Sequence, residues 1–317
     1  MRPGSSERRL PLWVHTARSA NQAITFSPPS DHPIICGINT RPIAMQLPLH
    51  IIDAFTSERF KGNQAAVVPL QTWLAEPVLQ SIAAENNLSE TAFLLWSAER
   101  AAFEIRWFSP LKEIAFCGHA TLASAFVLFE ADPALRIITF WAAAVGRVTA
   151  TLEECGRIRM SFPRRDARVL AEVPVALLEG LSPAPSTCLV NQQAYVAVYE
   201  TEAEVRAVRP DLQRLKTLGP LDVVVTGPAG AGAGAGAGAS HDFVSRYFWP
   251  ANGGDEDPVT GSIHAALAPY WAARLGRNEL VAHQASRRSG TLFCEVTASS
   301  VEVAGHCVRY LCGTISI

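Results

Sequence analysis

Two short segments hold many of the polar groups that could do chemistry in this chain. They are Cys117-Gly118-His119-Ala120-Thr121-Leu122-Ala123-Ser124-Ala125 and Thr260-Gly261-Ser262-Ile263-His264-Ala265-Ala266-Leu267-Ala268. The two are weak copies of one another, with their glycines 143 residues apart. Each puts a glycine and a small polar group at the head of an apolar helix, where unpaired backbone N–H groups and the positive end of the helix dipole favour an anion. Two such heads facing each other would grip a carboxylate, which makes Gly118 and Gly261 candidate substrate-binding positions.

Further polar residues stand beside these segments. Glu90 lies in a polar knot, Leu88-Ser89-Glu90-Thr91, that leads into the apolar run Ala92-Phe93-Leu94-Leu95-Trp96, so it belongs at the edge of buried surface. A carboxylate there is the kind of group that general acid/base catalysis uses. By residue type alone, Glu90 also fits a solvated turn or a capping acid, and His119 fits a cap or core histidine. Asp257 could start a turn before Pro258, and Ser262 could be an ordinary helix N-cap. Gly62-Asn63 reads as a turn or binding loop, with Asn63 a candidate substrate contact.

With 317 residues, 49% hydrophobic and 18% charged, the chain can bury one large core or two ordinary ones. A net charge of −2 gives no basic field for nucleic acid or an anionic membrane, and the expected partner is a small molecule. Seven cysteines (36, 117, 155, 188, 294, 307 and 312) are scattered, odd in number and without a C-x-x-C pair, as in a reduced cytoplasmic protein. No H-x-x-x-H or clustered His/Cys pattern calls for a metal, and none is expected. The longest apolar stretch, Ile114 to Phe129, is too short and too polar to span a bilayer.

The elements that must position these groups follow from periodicity. Residues 1–44, with five arginines and two acids, read as a disordered leader, a targeting segment or a mis-assigned start ahead of Met45. Strands are expected over 49–55 and 88–96, and over 103–107 with Phe103, Ile105 and Trp107 on one face. A helix begins near Pro77 and ends near Asn86-Asn87, its apolar positions being Val78, Leu79, Ile82 and Ala83. The first repeat helix has its apolar face at Leu122, Ala125, Phe126 and Phe129.

In the second half, strands at 196–199, 222–226 and 243–249 precede a helix on which Ile263, Ala266, Leu267, Tyr270 and Trp271 recur at helical spacing. Pro269 should kink that helix or end it early. Ala229 to Ala239 is a Gly-Ala alternation with nothing to pack, expected to form a surface loop. The expected architecture is α+β, an N-terminal half over 45–155 and a C-terminal half over 156–317, each a curved sheet around a central helix with a cleft between them.

Six motifs give this pattern a family resemblance: Gly62-Asn63, Asn87-Leu88-Ser89-Glu90-Thr91-Ala92-Phe93, Arg106-Trp107-Phe108-Ser109-Pro110, Phe116-Cys117-Gly118-His119-Ala120-Thr121, Glu256-Asp257-Pro258-Val259-Thr260-Gly261-Ser262 and Gln284-Ala285-Ser286-Arg287-Arg288. In this order, from about Met45 to the C-terminus, they resemble the PhzF family of phenazine-biosynthesis-like proteins. The resemblance implies a diaminopimelate-epimerase-like fold of two pseudo-symmetric halves, each a mixed β-barrel around a central helix, a homodimer, and isomerase chemistry without a cofactor. It places Glu90 on the family's acid/base glutamate, His119 on the histidine of Gly-His-Ala-Thr, and Asp257 and Ser262 on the aspartate and serine of Asp-Pro-x-Thr-Gly-Ser.

The implied reaction takes a proton from carbon next to a carboxylate, or conjugated to an alkene, and returns it to another carbon. Glu90 would be the base and then the acid, with His119, Asp257 and Ser262 orienting the substrate and serving the second proton position. Epimerases and racemases of this fold use two cysteines, one before each repeat glycine. Here the pair is Cys117 and Thr260, and a threonine hydroxyl cannot replace a thiol. A one-base epimerase and a non-catalytic binding member of the same fold stay open as alternatives. Two residues depart from the family pattern: Ser289 stands where a glycine is usual, and Ile263 after Ser262 should add bulk near the anion site.

Overall fold

The central helices are long apolar stretches that can only be stable inside protein. In the computed structural model, which describes residues 45–230 and 240–317, they are Gly118–Ala131 and His264–Leu275. The first is buried along nearly its whole length, and the polar groups that interrupt it satisfy themselves locally. Thr121 donates to the Cys117 carbonyl at 2.6 Å and Ser124 to the Ala120 carbonyl at 2.7 Å, so neither leaves an unpaired hydroxyl in the core. The expected leader at 1–44 and most of the Gly-Ala segment, 231–239, lie outside the described residues.

Around each helix the strands repeat one pattern. In the first half, Gln46–Ala54 pairs antiparallel with Asn63–Leu70, which pairs parallel with Glu90–Ser97, then antiparallel with Ala102–Phe108. Ala102–Phe108 pairs antiparallel with the short strand Glu113–Ile114 and parallel with Ile137–Ala142. Ile137–Ala142, Gly146–Leu152 and Ile158–Pro163 follow in antiparallel order.

The second half has the same sequence of pairings over Thr187–Val190, Ala194–Val198, Asp222–Pro228, Phe243–Phe248, Glu256–Asp257, Glu279–Gln284, Gly290–Val296 and Ser300–Gly305. Ile158–Pro163 and Ser300–Gly305 pair antiparallel and join the halves. The drawn division at 155/156 falls in the turn just before that joining strand. The last strand, Cys307–Ser316, returns to pair with Gln46–Ala54 in the first half.

Register fixes which residues are equivalent. Glu90 opens its strand opposite Ala65, and Asp222 opens its strand opposite Ala194, so the two acids occupy the same place in the two halves. By the same rule Trp107 corresponds to Tyr247, and Ile114 to Asp257.

Several local expectations meet the structure differently. The helix near Pro77 spans Glu76–Asn86 and closes with Asn87 in the left-handed region at φ 48°, but of its four apolar positions Val78 faces solvent. Pro269 does not end its helix, which runs on to Leu275. The carbonyl that lacks a partner because proline has no N–H belongs to Ala265, and the Arg165 backbone N–H fills it at 3.0 Å. Ile263 has no exposed surface and packs into the core rather than against the anion site. Ser289 sits at φ 55°, the left-handed conformation that explains why glycine suits this position.

Candidate active site

A cavity of about 150 Å³ opens between the halves, lined by Glu90, Cys117, Gly118 and His119 from one side and Asp257, Thr260, Gly261 and Ser262 from the other. Asp222, Tyr247, Ile114, Phe116 and Trp249 complete its wall. Six of the seven residues singled out in the sequence therefore meet at one space. Asn63 stands behind it, with no exposed surface.

The two helix heads differ in detail. Gly118 and His119 are the first residues of their helix, so their N–H groups have no acceptor within it. On the other side the helix proper starts at His264. Gly261, Ser262 and Ile263 form a tighter entry turn, in which the His264, Ala265 and Ala266 N–H groups bond back to the carbonyls three residues earlier. Gly261 and Ser262 still lie at the open end of that turn, and both line the cavity.

Glu90 and His119 form the polar centre. Glu90 Oε2 lies 3.0 Å from His119 Nε2, both side chains being about nine-tenths buried. The other ring nitrogen, Nδ1, is 3.4 Å from Cys117 Sγ. Burial works against a charged imidazole, but Cys117 and Glu90 outweigh it and hold His119 well above the ordinary histidine range. Burial, reinforced by Glu90, pushes the Cys117 thiol up to about 11, so it is a neutral thiol at physiological pH. Cys117 at one ring nitrogen and Glu90 at the other together favour the charged ring.

Asp257 is held on three sides. Asn63 Nδ2 donates to its Oδ1 at 2.8 Å and to the Val259 carbonyl at 3.0 Å, while the Thr260 hydroxyl donates to its Oδ2. Gln284 ties the loop down, donating to the Asp257 carbonyl and accepting from the Thr260 N–H, each at 2.8 Å. Ser89 steadies Asn63 through its carbonyl oxygen at 3.2 Å. Asn63 thereby links the two halves: both of its N–H bonds are committed to the second half, and His119 Nδ1 lies 3.2 Å away in the first.

Burial pushes Asp257 up to about 6 from 3.8, against the pull of His119 and the Thr260 hydrogen bond. An acid whose folded pKa is raised binds its proton more tightly when folded. Its charge therefore penalises the fold above about pH 6 and not below the unfolded value. Going from about pH 4 to about pH 7, denaturant titrations should show Asp257→Asn gaining on the order of 2 kcal/mol relative to wild type. A pH-independent difference would mean that Asp257 is not strained by burial; any misfit of the amide with Thr260 cancels in the comparison.

Glu90, Cys117 and His119 also bring their donor atoms within 4.8 Å of one another, the spacing of a metal-ligand trio. Both nitrogens of His119 are already engaged within the trio, Nε2 beside Glu90 and Nδ1 beside Cys117. Cys117 faces Thr260 rather than a second cysteine across the cavity. The residues that sequence reasoning missed are Asp222, Tyr247 and Gln193; only the strand register makes Asp222 conspicuous, as the counterpart of Glu90.

Comparison with known proteins places the fold and the family. A hydroxyproline epimerase from Agrobacterium vitis has the same fold, with a TM-score of 0.55 at 11% identity, covering 86% of this chain and 93% of that one. Much nearer is a PhzF-family phenazine biosynthesis protein of known crystal structure from Enterococcus faecalis: TM-score 0.79, 37% identity, 86% of this chain and 100% of that one. An uncharacterised isomerase of Pseudomonas aeruginosa is 43% identical over 277 residues, again 86% of this chain and 100% of the relative. The family model for phenazine biosynthesis-like proteins matches residues 52–313. The chain belongs to that family, and it is an isomerase of the diaminopimelate-epimerase-like fold. Among the described residues no helix is long and apolar enough to cross a membrane.

Proposed function

We propose that this isomerase moves a proton on a small carboxylate substrate, with Glu90 as the base that removes the proton and the acid that returns it. The observation that carries the reading is the 3.0 Å contact between Glu90 and His119 beside the two helix heads. The N–H groups at Gly118-His119 and Gly261-Ser262 hold the carboxylate and stabilise enolate-like charge as the proton leaves. His119 stands against Glu90 and orients its carboxyl for the transfer. Asp257, tied to Asn63 and Thr260, sets the opposite wall.

The cavity's small volume supports a compact substrate. A two-thiol racemase is opposed by Thr260, which stands in place of the second thiol and whose hydroxyl is committed to Asp257. We further propose that the protein acts as a homodimer, as the family resemblance implies, and in the cytoplasm, as its scattered cysteines suggest. Incubation with a library of small carboxylates in D₂O, followed by proton NMR, tests the reaction. At least one compound should gain deuterium with wild type, and a library wholly inert to it would count against a proton-transfer role.

A further inference from the structure

On the second-half side of the cavity runs a chain of hydrogen bonds that ends at Ser262. Tyr247 donates its hydroxyl proton to Asp222 Oδ2 at 2.6 Å. Gln193 Nε2 donates to the Tyr247 oxygen at 3.1 Å and to Ser262 Oγ at 2.9 Å. Asn252 holds the other oxygen of Asp222 at 2.7 Å and accounts for its position. Asp222, Tyr247 and Ser262 all line the same cavity as Glu90.

The direction of this chain follows from its end. An ionised carboxylate can only accept, so the Tyr247 proton must point at Asp222. The Tyr247 oxygen is then an acceptor, which fixes the Gln193 amide with its nitrogen toward Tyr247 and Ser262 rather than flipped. Ser262 Oγ receives one of those N–H groups, and its own proton is left free to donate into the cavity. We infer that Asp222 is a positioning residue: acting through Tyr247 and Gln193, it makes Ser262 a hydrogen-bond donor to the substrate carboxylate. This rests on the reading that the second helix head binds that carboxylate.

The register gives the arrangement a reason. Asp222 stands where Glu90 stands in the other half, and Ser262 follows its glycine as His119 follows Gly118. In the first half the acid touches its partner directly, at 3.0 Å. In the second half Tyr247 and Gln193 fill the gap, so the duplicated acid points a hydroxyl instead of touching an imidazole.

A double-mutant cycle on binding of fluoroacetate, followed by ¹⁹F NMR, tests this without requiring turnover. Ser262→Ala should weaken binding about tenfold, the size of one hydrogen bond to a charged group. Asp222→Asn should cost about the same, because the amide no longer dictates the direction of the chain, and Tyr247→Phe, which breaks it at the next link, should match. In the Ser262→Ala background Asp222→Asn should add nothing. Losses that multiply to about a hundredfold, or wild-type affinity in Asp222→Asn, would overturn the inference, as would wild type without saturable binding. Failure of the D₂O reaction alone would strike the catalytic reading and leave this one intact.

Discussion

Glu90→Gln is expected to lower turnover by about 10²- to 10⁴-fold while the protein stays folded and keeps its affinity for carboxylates. Glutamine fills the same space at the head of the Glu90–Ser97 strand, and the pairing with Asn63–Leu70 does not involve the side chain. It cannot accept the substrate proton, and loss of a positioned general base costs about that range. The ion pair with His119 also goes, so the ring loses the carboxylate that helps hold its proton. The measurement is steady-state turnover of whichever carboxylate exchanges with wild type, together with fluoroacetate affinity. A variant that binds normally but turns over at more than about a tenth of the wild-type rate would remove Glu90 from the role of base.

Gly62→Ala is expected to be the most damaging small substitution for the fold, at about 3 kcal/mol or more by urea denaturation. Gly62 has φ +65°, and a Cβ there would come within 2.1 Å of the Ala54 carbonyl oxygen and 2.7 Å of Thr56 Cγ2. The Ala54 oxygen belongs to the end of a strand and cannot retreat cheaply. The loop is also clamped from across the molecule. Gly62 N–H donates to the Ser289 carbonyl at 2.7 Å, and Arg288 donates to the Gly62 carbonyl at 2.8 Å and to Asp53 at 2.7 Å. The next residue is Asn63, so a shift of Gly62 would also pull the amide away from Asp257 and Val259. Stability within about 1 kcal/mol of wild type would mean that the 55–62 loop has another shape.

The sequence makes the duplication legible because a buried helix needs an unbroken apolar stretch, and two stretches with matching glycine heads stand out. It also carries the residues of the cavity wall, since chemistry constrains residue type more tightly than surface position does. What stays hidden depends on partners far along the chain. Nothing near Pro269 reveals that the Arg165 N–H supplies the bond proline cannot make, and so, of the kink or early end that local rules allow, the early end does not occur.

Ile263 follows a site residue in sequence, but the turn of the chain sends its side chain into the core. Cys307–Ser316 pairs with the first strand of the chain, a closure that no local pattern records. Asp222, Tyr247 and Gln193 look like ordinary strand and turn residues until the register of the second half is laid beside that of the first.

The most direct test of Glu90 as the proton carrier follows the label itself through one turnover. The substrate is prepared with deuterium at its reacting carbon and turned over once in H₂O, and the product is read by NMR. Glu90 is buried against His119, so its carboxyl should give back part of that deuterium before water replaces it. Deuterium on the second carbon of the product, absent with Glu90→Gln, is the predicted result. Complete loss of the label to water, with Glu90→Gln turning over as fast as wild type, would contradict it.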